Sequence, residues 1–218
     1  IRFSDLFTRG LKKPLILSIL ICVFAEACGI SAVLYYGPQL FEGAGLSLGD
    51  SLGGFSVIAL VLLFFNFAAM YFVEKVGRRK LLLVGSTGSL VSLVLIGTCY
   101  LLGLPGVLIV IFMTSFVAFF ASSIGPVKFV IISEIFPNTI RGRAIAVGTV
   151  SIWLTSAAVA QLFPMMRETF HTGYIFYLFA LDLAALILVV LLLLPETKGR
   201  TIEEIERSWL SGFRADKS

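Results

Sequence analysis

Apolar residues run almost unbroken through six stretches of the chain, Pro14–Tyr36, Leu52–Val73, Leu81–Leu102, Val107–Phe136, Ala144–Met166 and Tyr174–Leu194. A helix needs about 20 apolar residues to cross the hydrocarbon of a bilayer, so the pattern predicts six membrane-spanning helices. The runs lack the alternation of polar and apolar positions that a barrel wall shows, which excludes transmembrane strands. The predicted class is therefore all-α: a six-transmembrane-helix bundle over 14–194. An amphipathic segment, 1–13, precedes it and a tail, 195–218, follows. In the tail, Thr201 and Glu204 form a capping box for a short helix, with Ile202, Ile205, Trp209 and Leu210 on one side. The connections are short, which predicts consecutive helices as antiparallel neighbours.

Composition fits that solvent. Of 218 residues 58% are hydrophobic and 14% charged, and the mean hydropathy is +1.01, whereas a soluble domain carries roughly a quarter charged residues. The few cations are segregated. Arg2, Arg9, Lys12 and Lys13 precede the first span, Lys75, Arg78, Arg79 and Lys80 follow the second, Arg141 and Arg143 follow the fourth, and Lys198, Arg200, Arg207, Arg214 and Lys217 lie in the tail; the opposite loops hold Arg167. Cytoplasmic loops are the ones enriched in Lys and Arg, so both termini are expected in the cytoplasm, in a plasma or bacterial inner membrane. The net charge of +4 then reflects topology and anionic headgroups, and no nucleic-acid partner is implied. The segment from Arg2 to Lys13 has no small-residue cleavage site, unlike a signal peptide. Cys22, Cys28 and Cys99 fall inside spans, as small packing residues.

Two spans are interrupted. Pro126, after Gly125, has no backbone N–H and meets the carbonyl of Ser122, so the fourth helix should kink or unwind there. In the first, Gly29 lies between Glu26 and Ser31 at similar depth. Broken helices at the midplane are where carriers present backbone groups to a solute, although proline kinks also serve packing alone. No metal cluster, nucleophile–base pairing or nucleotide loop is visible, so neither an enzyme nor a cofactor is expected.

Three polar segments carry a family resemblance: Glu74-Lys75-Val76-Gly77-Arg78-Arg79, the stretch from Ser133-Glu134 through Pro137 to Arg141-Gly142-Arg143, and Pro195-Glu196-Thr197-Lys198-Gly199-Arg200. In this order and on one membrane side they resemble the signatures of sugar porters of the major facilitator superfamily. Gly29 to Tyr36 is similar to the family's seventh-helix motif and Gly125-Pro126 to the break in its tenth. The resemblance covers nearly the whole chain but only helices seven to twelve of a twelve-helix fold. Ile1 is no natural start residue, so a fragment or an isolated C-terminal bundle is expected. The resemblance implies alternating access around a solute held between two bundles, with an N-terminal six-helix half or a second copy as partner. It also implies that Glu74, Arg78, Arg79, Glu134, Arg141 and Glu196 form a cytoplasmic gate network, with solvated positive-inside charges as the plainer alternative. Tyr35 and Tyr36 resemble the extracellular gate tyrosines; interfacial anchoring is the alternative.

On the solute side the chain departs from the family. The two glutamines of the seventh helix fall on Ala25 and Glu26 and the following asparagine on Ser31. The eighth-helix asparagine falls on Leu62, with Asn66 one turn on. The tenth-helix tryptophan becomes Phe129, a neighbouring proline becomes Lys128, and the eleventh-helix asparagine becomes Ile152, beside Trp153. Amides that donate and accept are thus replaced by charge. Glu26 and Lys128 would each cost about 2.5–3.5 kcal/mol in hydrocarbon, so the two are expected to pair or to face a cavity. Three readings stay open: a proton-linked site acting through Glu26, a site for a charged solute, and an ion pair that only ties two helices. The candidate solute residues are Glu26, Ser31, Asn66, Lys128, Phe129 and Trp153. The function expected is that of a half-carrier for a sugar, polyol or related solute, against a non-transporting six-helix scaffold or sensor. Asp182, deep in the last span, has no role in either reading.

Overall fold

The computed structural model describes residues 12–136 and 139–194. The segment 1–11 and the tail from 195, with Glu196 and the tail helix expected from its capping box, lie outside the described residues. Among the described residues six helices, two of them broken, are long and apolar enough to cross a membrane. The first span is α1 (Lys12–Ala27) and α2 (Ile30–Gly43), followed by α3 (Leu48–Val76) and α4 (Arg78–Leu102). The fourth is α5 (Gly106–Phe119), a π-helical turn (Phe120–Ile124) and α6 (Gly125–Ile135), and α7 (Arg141–Thr169) and α8 (Thr172–Leu193) complete the bundle. The helices overrun the hydropathy windows at most ends, and at two of the starts a polar side chain caps the extension. Ser47 accepts from the Asp50 amide at 3.2 Å to start α3, and His171, expected as a solvated loop residue, accepts from the Gly173 amide through Nδ1 at 3.2 Å to start α8.

The order of packing differs from the chain order. Short connections predicted that consecutive spans would be neighbours, and α4 does pack along α5. However, α3 meets α4 over little of its length and α7 barely meets α8. The most extensive contact is between α4 and α8, and α1 packs on both α7 and α8. The reason is visible at Gly97 and Gly173: a Cβ on either would lie 2.9 Å or less from the other's carbonyl oxygen. Absent side chains let the α4 and α8 backbones approach closely, the usual basis of helix association where lipid is as apolar as the side chains. Between α3 and α4 a single residue, Gly77, makes the reversal at φ 95 and ψ 150, a region open to glycine and almost no other residue. Such a tight turn leaves the two helices diverging from its apex.

Both interruptions expected from the sequence are present, in different forms. In the first span Gly29 is left-handed at φ +90, which ends α1 and lets α2 restart with Val33 N–H bonded to the Gly29 carbonyl at 3.1 Å. A side chain there is excluded twice, since its Cβ would also lie 2.4 Å from Phe179 Cδ2. In the fourth span the break precedes Pro126. The Gly125 amide bonds to the Phe120 carbonyl five residues back, and this π turn gives the proline ring room that an α-helical register denies it. Ser123 Oγ donates to the Phe119 carbonyl at 2.5 Å across the same turn.

Gly29→Ala is expected to lower stability by about 2–4 kcal/mol, from left-handed strain plus the overlap with Phe179. Thermal unfolding in detergent would show it as a lowered midpoint. An unchanged midpoint would mean that the α1–α2 junction is free to take another conformation.

Candidate functional site

The two broken spans meet at their breaks. Lys128, four residues after the π turn, donates through Nζ to Glu26 Oε1, which lies just before the Gly29 junction. Both residues are buried, at 4% and 7% exposure. The ammonium also lies 5.5 Å from the ring centroids of Phe120 and Phe129, so a carboxylate and two aromatic faces share the charge. A second tie runs from α2 to α7, where Ser31 Oγ and Ser156 Oγ are 2.7 Å apart.

These groups line one cavity of about 320 Å³, with Tyr35, Trp153 and apolar residues of α2 and α7. Its rim is open: Trp153 is 64% exposed, Tyr35 59% and Phe129 42%. A Lys ammonium carries three N–H donors and a carboxylate about four acceptor positions. One of each is spent on the other, and both residues line a pocket with aromatic walls. The pair therefore supplies what a set of amides supplies, donors beside acceptors at fixed positions, on a base with no net charge.

Five of the expected solute residues thus come together: Glu26, Ser31, Lys128, Phe129 and Trp153. Asn66 does not join them. It is exposed on α3 and its amide donates to the Leu62 carbonyl of its own helix at 2.8 Å. Tyr36 points away from the cavity, donating to the Ala160 carbonyl at 2.9 Å with its ring 5.4 Å from that of Phe163, so the neighbouring tyrosines tie α2 to α7 and line the rim respectively. Ser156 and Phe120 were not foreseen. Ser156 had a usable signal, because it lies one turn beyond Trp153 on the same face of α7. Phe120 had none, because its ring reaches Lys128 through the altered register of the π turn.

At the basic end of the bundle two described arginines fasten neighbouring helix ends. Arg78 binds Glu134 through Nε and Nη2 at 2.9 and 2.7 Å, fastening the start of α4 to the end of α6. Arg79 instead caps α8, donating to the Leu191 carbonyl at 2.9 Å. Glu74 is exposed, and Arg141 Nε is buried without a hydrogen-bond partner among the described residues.

Residues 2–209 match the family model described as "Sugar (and other) transporter". The chain belongs to this sugar transporter family. It is similar to the arabinose-proton symporter of Bacillus subtilis (strain 168), 36% identical over 208 residues that cover 95% of this chain and 45% of the relative. It is also similar to the D-xylose-proton symporter of Escherichia coli (strain K12), 34% identical over 201 residues, 89% of this chain and 41% of the relative. The inward open conformation of the xylose transporter XylE from E. coli superposes with a TM-score of 0.82 at 31% identity, over 94% of this chain and 45% of that one. The chain spans about half the length of the curated sugar transporters it matches, and its six helices form one half of the major facilitator fold.

The Arg78–Glu134 pair, in which two guanidinium nitrogens share one carboxylate oxygen and each side chain is about a quarter exposed or less, should contribute on the order of 1 kcal/mol. A double-mutant cycle with Arg78→Ala and Glu134→Ala, read by chemical unfolding in micelles, is expected to give a coupling of that size that shrinks in high salt. Strictly additive losses would show that the two side chains do not act together.

Proposed function

We propose that this chain is the C-terminal half of a secondary carrier that moves a sugar, polyol or related small solute by alternating access. The observation that carries the reading is the midspan cavity in which the Glu26–Lys128 pair, the Ser31 and Ser156 hydroxyls and the exposed faces of Phe129 and Trp153 converge. Polyhydroxylated solutes need neighbouring donors and acceptors plus a flat apolar wall, and these residues supply both. The proton symporters for arabinose and xylose among the relatives support this solute class. A base without net charge suits a neutral solute better than an ionic one, which would leave a charge uncompensated.

The open side of the cavity supports a second half as partner. A concave polar surface at the middle of the membrane is costly against lipid. The spans whose most apolar stretches are least covered, α3 and α7, each buried over only 17%, are the ones with surface left for another bundle. In this reading the basic end faces the cytoplasm, as the positive-inside rule requires, and the Arg78–Glu134 pair is part of an inner gate that opens as the halves rock, with Arg141 and Glu74 beside it. Tyr35 stands at the outer rim of the cavity. A proton-linked mode would act through Glu26, because protonating it releases the Lys128 ammonium to a solute hydroxyl. Asn66 has no part in this site.

Titrating the purified chain with D-xylose, L-arabinose, D-glucose and mannitol, while following tryptophan fluorescence, tests the reading. A saturable change is expected for at least one of them, with an affinity on the order of millimolar for half a site, abolished by Trp153→Phe and weakened about tenfold or more by Glu26→Gln. No saturable response to any of the four would overturn it.

A further inference from the structure

A second cavity, of about 390 Å³, opens where α7 and α8 fail to pack against each other, with Ala27 of α1 as its floor. Its walls are apolar, among them Leu162, Phe163, Leu178 and Phe179, with one exception: the carboxyl of Asp182. It shares no lining residue with the cavity that holds Glu26 and Lys128. Asp182 Oδ2 is buried and makes no hydrogen bond among the described residues. No described cation pairs with it. Arg167 of α7 lies over the ring of Phe163, in a neighbouring pocket with Tyr36, Gln39 and Glu168, and Lys128 is bound to Glu26. A carboxyl at membrane depth without a partner is expensive and is kept where it has something to bind.

We propose that the groove between α7 and α8 is a binding site for a small amphipathic amine, whose apolar body lies against the leucine and phenylalanine walls while its ammonium meets Asp182. Charge complementarity selects this occupant. An acyl chain fills the volume but brings no donor to the carboxyl. A lipid headgroup does not reach it, because Asp182 lies 10 residues after Thr172 and 11 before Leu193 in α8, about 15 Å from either end at 1.5 Å per residue. The volume lies within the range of small-molecule sites, roughly 300–1,000 Å³.

The walls of this groove also reach the break in the first span. Phe179 is the ring that packs on Gly29 at the junction of α1 and α2. Phe163 stacks on Phe179 at 6.2 Å and meets Tyr36 at 5.4 Å. An occupant therefore packs against the rings that abut the α1–α2 junction, from outside the solute cavity and without competing for the residues that line it.

The test uses 4-phenylbutylamine against 4-phenyl-1-butanol, which has the same apolar body, and follows the unfolding midpoint of the full chain in detergent as each is titrated. The amine is expected to raise the midpoint saturably, at least tenfold more potently than the alcohol, and Asp182→Asn should erase that advantage. Ala185→Phe, which fills the groove and leaves the carboxyl in place, should weaken the amine at least tenfold and serves if Asp182→Asn does not fold. Equal potency of amine and alcohol, or an amine effect that survives either substitution, would overturn the proposal and leave the groove as a seat for lipid.

Discussion

The buried ion pair between Glu26 and Lys128 is the constraint around which the rest of the bundle is arranged. Each charge alone would be expelled from hydrocarbon, so α1 and α6 must stand close enough, and at matched depth, for the two side chains to meet. That requirement fixes where the first and fourth spans cross. It also accounts for the aromatic surroundings: Phe120 and Phe129 take part of the ammonium's field, which lowers the cost of a lysine that has lost its water. A pair with these neighbours can be stable and still hold unused donors and acceptors, and that combination turns a structural tie into the floor of a site.

The helix breaks are what let such a pair exist beside an open cavity. An unbroken α1–α2 helix would carry Ser31 onward in register with Glu26, whereas the left-handed turn at Gly29 redirects α2 toward α7 and brings Ser31 to Ser156. The π turn does the corresponding work in the fourth span, shifting the face of α6 so that Lys128 and Phe129 look into the same space. Glycine contacts between α4 and α8 then support the assembly from the opposite side. The distribution is economical in a specific sense: rigid packing lies on α4 and α8, while the irregular backbone is confined to the spans that line the cavity, where exposed peptide groups can be satisfied.

Much of this was legible in the residues. Hydropathy located all six spans, since nothing competes with burial in lipid over 20-residue windows, although the first runs seven residues further than expected, to Gly43, and the positions of Gly29 and Gly125-Pro126 marked both breaks. The expense of each charge pointed to a cavity or a partner for Glu26 and Lys128, and the family resemblance, which sets both spans beside the cavity, made their pairing plausible. What periodicity could not show was helix adjacency. Short loops suggested neighbours in chain order, but glycine pairs far apart in sequence, such as Gly97 and Gly173, decided that α4 would pack along α8. Asn66 was chosen because it is an amide near the expected depth, and its azimuth on α3, which a one-turn offset does not preserve, leaves it facing outward. Asp182 had no meaning in the sequence because its significance lies in an absence of packing between α7 and α8.

The site described depends on Glu26 and Lys128 acting as one unit. The most direct measurement is a stability cycle in detergent micelles comparing Lys128→Met, Glu26→Gln and the reversed pair Glu26→Lys with Lys128→Glu. Removing the lysine alone strands a buried carboxylate and is predicted to cost about 3–5 kcal/mol, whereas the reversal should recover most of that loss by restoring an opposite-charge partner. If Lys128→Met costs under about 1 kcal/mol, or if the reversed pair is as unstable as two isolated buried charges, then the pair does not hold α1 to α6 and the site built upon it is not the one described.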